Sequence, residues 1–349
     1  MYANQLITLL IMLCSLGACK KDKVQKGGEW LIPKNEVKDG GPGKDGIPAL
    51  ENPAFTDPSG ATYLTDNNLV IGFISGSVIK AYPHRILDWH EIINDNVNGK
   101  KIAITYCPLT GTGIGWNRVV NGTTTTFGVS GVLYNSNLIP YDRATDSNWS
   151  QMRLDCVNGE LISEKVETYQ VVETTWKTWK EMYPSTKVVS ENTGHNRNYG
   201  AYPYGDYITN NSKLLFPVNN EDSRLPNKER AHGILINSKA KVYSIEEFKD
   251  SVKVVEDNFG AIPLVIAGSK SENIIVSFNS KLKNGTLLTF AAVQDSLPII
   301  MKDNEGTRWD VFGKGVSGPR AGEQLTATTS FMGYWFAWAA FYPSAEIYE

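Results

Sequence analysis

Gly72-Phe73-Ile74 followed by Lys80-Ala81-Tyr82, and Gly233-Ile234-Leu235 followed by Lys241-Val242-Tyr243, read as one pattern written twice, about 160 residues apart. Working outward, Ile102-Ala103-Ile104-Thr105 answers Pro263-Leu264-Val265-Ile266, and Asn121-Gly122-Thr123 with Phe127 answers Asn284-Gly285-Thr286 with Phe290. Trp149 answers Trp309. Trp176-x-x-Trp179 with Tyr183-Pro184 answers Trp335-x-x-Trp338 with Tyr342-Pro343. Matches of this kind, in fixed order, predict an internal duplication. The expected copies are 62–191 and 229–349, joined by an irregular Asn/Gly/Tyr-rich connector at 192–228.

Local patterns set the fold class. Asn68 to Ile74 and Val78 to Tyr82 alternate as a hairpin around Ser75-Gly76. Pro83 suits the first turn of a helix reaching about Asn94, with Ile86, Trp89 and Ile93 on one face. Lys100 to Tyr106 reads as a strand. Ile114–Arg118 and Thr123–Val129 read as a hairpin about Asn121-Gly122. Thr175 to Met182 reads as a short helix stopped by Pro184. The expectation is α+β, strand-rich with short helices, built as two similar halves.

The chain has 349 residues, 34 Lys and Arg against 37 Asp and Glu, and four cysteines. That length allows about two domains. The charge balance gives no basic stripe, which argues against a nucleic-acid partner. Four cysteines do not make a disulfide scaffold.

The N-terminus reads as an address. Leu6 to Gly17 is an apolar run of signal-peptide length, too short to span a bilayer. It ends in Leu16-Gly17-Ala18-Cys19, which resembles a bacterial lipobox, followed by Lys20-Lys21-Asp22. The expected division is a signal peptide at 1–18, a tether at 19–38, a first repeat with lead-in and connector at 39–228, and a degenerate second repeat at 229–349. Cys19 is expected to carry acyl chains, palmitate among them, so the first partner is a membrane. Lys20 and Lys21 lack the Asp that in some bacteria retains a lipoprotein at the inner membrane. The expected location is therefore the cell envelope, at the periplasmic face or surface of the outer membrane in preference to the inner membrane. The Ala-rich tail from Phe336 to Phe341 is too short to be a second span. Cys14 leaves with the signal, so the mature thiols are Cys107 and Cys156.

Comparing the copies separates shared landmarks from residues present once. At a constant offset His84 faces Ile245, Trp89 faces Asp250, His90 faces Ser251 and Cys107 faces Gly268. Reactive groups thus concentrate in the first copy, although drift after duplication would also produce differences. Cys107 ends a strand and opens Cys107-Pro108-Leu109-Thr110-Gly111-Thr112-Gly113. The turn offers amides and hydroxyls that suit a reactive thiolate, or a soft-metal ligand with a nearby His. A buried thiol acting as a small hydrophobe, or a disulfide to Cys156, fits the same residues. His84 and His90 point to different helix faces and cannot share a metal from one face. His90 reads either as a base or orienter for Cys107, or as a satisfied core residue. There is no Cys-x-x-Cys or His-x-x-x-His, and Gly111-Thr112-Gly113-Ile114-Gly115 lacks dinucleotide-binding spacing, so no cofactor is named. Tyr134-Asn135-Ser136-Asn137, Tyr141-Asp142-Arg143 and Trp149-Ser150-Gln151 read either as the wall of a small-ligand pocket or as an edge loop satisfying its own backbone.

These residues resemble an uncharacterised bacterial family, the domain-of-unknown-function 3179 family. The resemblance rests on Gly40-Gly41-Pro42-Gly43-Lys44-Asp45-Gly46-Ile47-Pro48-Ala49-Leu50, on Ala81-Tyr82-Pro83-His84-Arg85-Ile86-Leu87-Asp88-Trp89-His90-Glu91-Ile92 with Asn94-Asp95, and on Thr105-Tyr106-Cys107-Pro108-Leu109. It continues through Phe127-Gly128-Val129-Ser130-Gly131, Leu133 to Leu138, Tyr141-Asp142-Arg143, Trp149, Leu225-Pro226 and Lys228-Glu229-Arg230. Many members resemble this chain in carrying an export or lipoprotein signal. Several read Cys-Pro-Leu-Cys where this chain has Cys107-Pro108-Leu109-Thr110, which weakens a dithiol mechanism. The family brings no established activity.

The reading favoured from sequence is an envelope lipoprotein with one polar-aromatic pocket in the first repeat, binding a small molecule or a metal ion. Its expected ligand-binding residues are Trp89, Thr110, Tyr134, Asn135, Asn137, Asp142, Lys44 and Asp45, with Cys107 and His90 as metal candidates. The alternatives are an enzyme using Cys107 as nucleophilic or redox thiol with His90, and a scaffold without a site. Binding is preferred because no catalytic triad can be written. A single site requires Cys107, His90 and Asn135 to share one cleft.

Overall fold

The computed structural model describes residues 28–349. The expected signal peptide and the expected lipidation at Cys19 lie outside the described residues. The fold is α+β and strand-dominated, with three helices of seven residues each. No helix among the described residues is long and apolar enough to cross a membrane.

Two sheets carry the same strand order and sense. In the first half the order is Val172–Thr175, Leu69–Ser75, Val78–Pro83, Lys187–Val189, with the last of these pairs parallel and the others antiparallel, and Phe55–Thr56 adds a fifth, antiparallel strand at the edge. In the second half it is Thr329–Tyr334, Arg230–Ile236, Lys239–Ser244, Glu346–Ile347, with the same senses. A meander follows in each: Ile92–Val97, Lys100–Cys107 and Thr112–Asn117, against Lys253–Phe259, Ile262–Ser269 and Ile274–Asn279. A further ladder begins at Phe127 in one half, where four strands are joined by Lys38–Asp39 as a fifth, and at Phe290 in the other, with four strands.

The landmark residues have matching structural work. Trp179 lies on Gly72, where a Cβ would come within 2.1 Å of the ring; Trp338 lies on Gly233, where the distance is 2.2 Å. Trp149 Nε1 donates to Asp142 Oδ2 at 3.0 Å, and Trp309 Nε1 donates to Asp303 Oδ2 at 3.0 Å. All four Trp rings are fully buried, and each indole N–H has found an acceptor, as burial of a polar group demands. The halves lock reciprocally. Tyr334 N–H donates to Thr110 O, and the Thr174 hydroxyl donates to Glu272 O.

Three local expectations need correction. The helix after Pro83 ends at His90, not near Asn94, because Glu91 turns left-handed (φ 55°) and β-branched Ile92 and Ile93 enter a strand. The hairpin about Asn121-Gly122 is only Val119–Val120 with Thr123–Thr124; Phe127–Tyr134 instead pairs with Asn137–Asp142 in another sheet. Finally, the tight turns align Val97↔Lys100 with Phe259↔Ile262, so the register position of Cys107 is that of Ser269, not Gly268.

Candidate functional site

The helix His84–His90 buries nearly all of its side chains, and its open end faces a cleft of about 400 Å³. His84, Arg85 and Asp88 come from this helix and Tyr106 from the strand beside it. Tyr202, Ile208, Thr209 and Lys228 come from the connector, Arg230 from the start of the second half and Tyr334 from the strand before its last helix. Arg85 donates to Gly200 O (2.9 Å) and Trp89 Nε1 to Ala201 O (3.2 Å). His90 bonds Tyr199 Oη (2.7 Å) and Pro48 O (2.7 Å). The helix thus fastens the connector across the cleft.

The turn Cys107–Gly113 packs against Tyr334 and Arg230. Gly111 is left-handed (φ +62°), and a Cβ there would come 3.0 Å from Tyr334 Cζ and 3.2 Å from an Arg230 nitrogen. Only glycine combines that backbone with that approach. Tyr207 Oη donates to Leu109 O at 2.9 Å, and the Lys228 ammonium sits 3.1 Å above the Tyr207 ring centre.

Charge is buried here in unusual density. Arg230 pairs with Glu173 across the junction of the halves, and His84 Nε2 stands 3.3 Å from the other Glu173 oxygen, off the line of a hydrogen bond. Burial alone would raise the Glu173 carboxyl, but Arg230 and then His84 hold it down at about 2. Asp88 has no such cation in contact, and burial pushes it up to about 8 against a weaker opposing pull from Arg85. Glu91, wholly enclosed, is likewise pushed up to about 8 by burial. Burial brings Lys228 down to about 7, with Lys213 adding repulsion. Groups poised near neutrality in a cleft mark a functional site more often than a structural one. His84 Nε2, Tyr202 Oη, Lys228 Nζ and Arg230 Nε are all buried and have no protein hydrogen-bond partner.

The expected site residues are dispersed. Cys107 is 1% exposed and lies behind the cleft, its sulfur 3.6 Å from Ser136 O. Burial pushes its thiol up to about 11, and neighbouring Glu91 adds to this, the reverse of thiolate activation. Cys107 and Cys156 are both free and buried, so the disulfide alternative does not hold. His90 spends both ring nitrogens on Pro48 and Tyr199, and burial lowers it to about 4. His90, Cys107 and Asn135 do not line a common cleft, because each is engaged in separate packing. Among the described residues no group of three or more His, Cys, Asp or Glu could hold a metal.

The remaining candidates also have structural employment. Asn137 Nδ2 donates to Thr110 Oγ1 (2.9 Å) and Gln151 Oε1 (2.7 Å), a buried network that fixes the Cys107 turn. Asn135 is a left-handed hairpin residue tied to Ala340 O and Asn219 N–H. Tyr134 packs edge-on against Phe341. Asp142 caps Thr145 and accepts from Trp149, as Asp303 does for Trp309. Lys44 pairs with Asp146 and covers the Tyr141 ring, while Asp45 accepts from Tyr141 and Arg143, all away from the cleft. Trp89 contributes at one remove, by holding the connector.

Sequence reasoning missed Asp88, Glu91, Glu173, Tyr202, Lys228 and Arg230. Asp88 and Glu91 stand in the quoted Ala81–Ile92 stretch, and Lys228 and Arg230 in Lys228-Glu229-Arg230. A charge count of these stretches would have raised them. Glu173 carried no signal, because only the register places it beside Arg230.

No curated protein and no solved structure matches this chain. A family match runs over residues 44–345, taking in both halves, the connector and every charged residue of the cleft. The chain therefore belongs to the family described as protein of unknown function (DUF3179).

Proposed function

We propose that this protein is a lipid-anchored envelope protein that binds a small molecule in the cleft between the His84–His90 helix, the connector and Arg230. The observation that carries the reading is that Tyr202, Lys228 and Arg230, each with a buried polar atom that lacks a hydrogen-bond partner, line one cavity together with His84. An unsatisfied buried polar group destabilises by about 1–3 kcal/mol, so a ligand that supplies partners recovers energy that the empty fold forgoes. Tyrosine walls with a few polar groups are the usual lining of a small-molecule site.

The test is a fragment screen followed by thermal shift, comparing the protein with a Thr209→Trp variant that fills the exposed rim. Binding fragments should raise the melting temperature of the parent and not of the variant. Equal shifts in both would place binding elsewhere and end this reading. Anchoring rests on the Leu16-Gly17-Ala18-Cys19 pattern. Cys19→Ser should move the protein to the soluble fraction; persistence in the membrane fraction would contradict the anchor.

A further inference from the structure

We infer that the ligand of this cleft is an oxyanion, a small carboxylate- or phosphate-bearing molecule, taken up by Arg230, Lys228 and Tyr202. The inference rests on the cleft being a binding site and names the chemistry it accepts. The lining brings three permanent or titratable cations, Arg85, Lys228 and Arg230, and one acid, Asp88. Glu173 is spent on Arg230 and His84. Asp88, kept protonated by burial at neutral pH, adds a donor rather than a negative charge.

Hydrogen-bonding capacity points the same way. Arg230 Nε is a donor only, Lys228 Nζ donates and is charged when protonated, and Tyr202 Oη carries a proton. Three unmet groups, on Arg230, Lys228 and Tyr202, can donate and call for acceptors on the ligand. Charge-assisted bonds to a carboxylate or phosphate are the strongest that such donors make. The rings of Tyr106, Tyr202 and Tyr334 leave a planar or apolar body as the best filling for the rest of the space.

The test uses the purified full chain in detergent and calorimetric titration with benzoate, phenyl phosphate and uncharged benzamide. At least one anion should bind ten times more tightly than benzamide, and the stronger anion decides between carboxylate and phosphate. Lys228→Met should weaken anion binding at least tenfold. Thr209→Glu, at an exposed rim position where folding is not at stake, should weaken the anions and spare benzamide. Benzamide binding as well as the anions would overturn the oxyanion assignment while leaving the cleft a binding site. Anion affinity untouched by both variants would also overturn it. If neither the anions nor the neutral fragments of the preceding screen bind, both readings fail.

Discussion

The two halves close the same sheet around different side chains. At matching register positions the first half has His84, Glu91, Cys107 and Glu173 where the second has Ile245, Lys253, Ser269 and Met332. Arg230 opens a strand of the second half where the first has Leu69. The Gly–Trp stacks and the Trp–Asp bonds, by contrast, occur in both. What is present twice maintains the architecture. What is present once is a buried ionic cluster that the architecture does without elsewhere, and such clusters are costly unless they serve something.

The comparison can be broken most forcefully at its shared positions. Gly72→Ala and Gly233→Ala each drive a methyl into an indole, and each should destabilise by about 3 kcal/mol or more in urea unfolding. Equal losses support structural equivalence; a tolerated substitution in either half breaks it. Trp149→Phe and Trp309→Phe remove the donors to Asp142 and Asp303 and should each lose about 1–3 kcal/mol. A large asymmetry would show that one of these bonds serves more than the fold.

Acid–base behaviour sharpens the contrast. The Asp88 carboxyl is raised from 3.8 to about 8 in the fold, so the folded state holds the proton longer than the unfolded chain. Its contribution is present at low pH and is lost as pH rises across that interval. Asp88→Asn should therefore be more stable than the parent at pH 8 and little different near pH 4. Glu173 has the opposite sign: held down at about 2, it contributes stability that disappears as pH falls below its ordinary 4.5. Stability curves of Asp88→Asn that parallel the parent at every pH would contradict the burial assigned to this group. The smallest effect expected is at Cys107. With its thiol raised to about 11, it should resist alkylation at pH 8 until the protein unfolds; rapid labelling of the native protein would restore the thiol reading.

Much of the fold was legible because its signals are local. Turn residues such as Ser75-Gly76, alternating Val78 to Tyr82 and the Trp-x-x-Trp pairs each report on a few neighbours. The helix was overextended at Glu91 because a left-handed residue in a buried position has no local pattern. The site was legible only in its address, the first half near Cys107 and His90. Reactive residue types drew the reading to Cys107, yet burial turned that thiol inward. The residues of the proposed site and its ion pair come from four segments as distant as His84, Glu173, Tyr202 and Arg230, and no spacing rule joins them. Pairing register, which only the folded chain supplies, brings Glu173 to Arg230.

The central claim is that the ionic cluster serves a ligand and not the fold. The direct test replaces its members with the residues that the other half uses: His84→Ile, Glu173→Met and Arg230→Leu together, followed by urea unfolding. Exchange of a buried ionic cluster for apolar residues of similar size is often neutral or stabilising by about 1–4 kcal/mol. The account predicts a cooperatively folded protein at least as stable as the parent. Loss of several kcal/mol, or of the cooperative transition, would show that the cluster holds the halves together and would contradict the account.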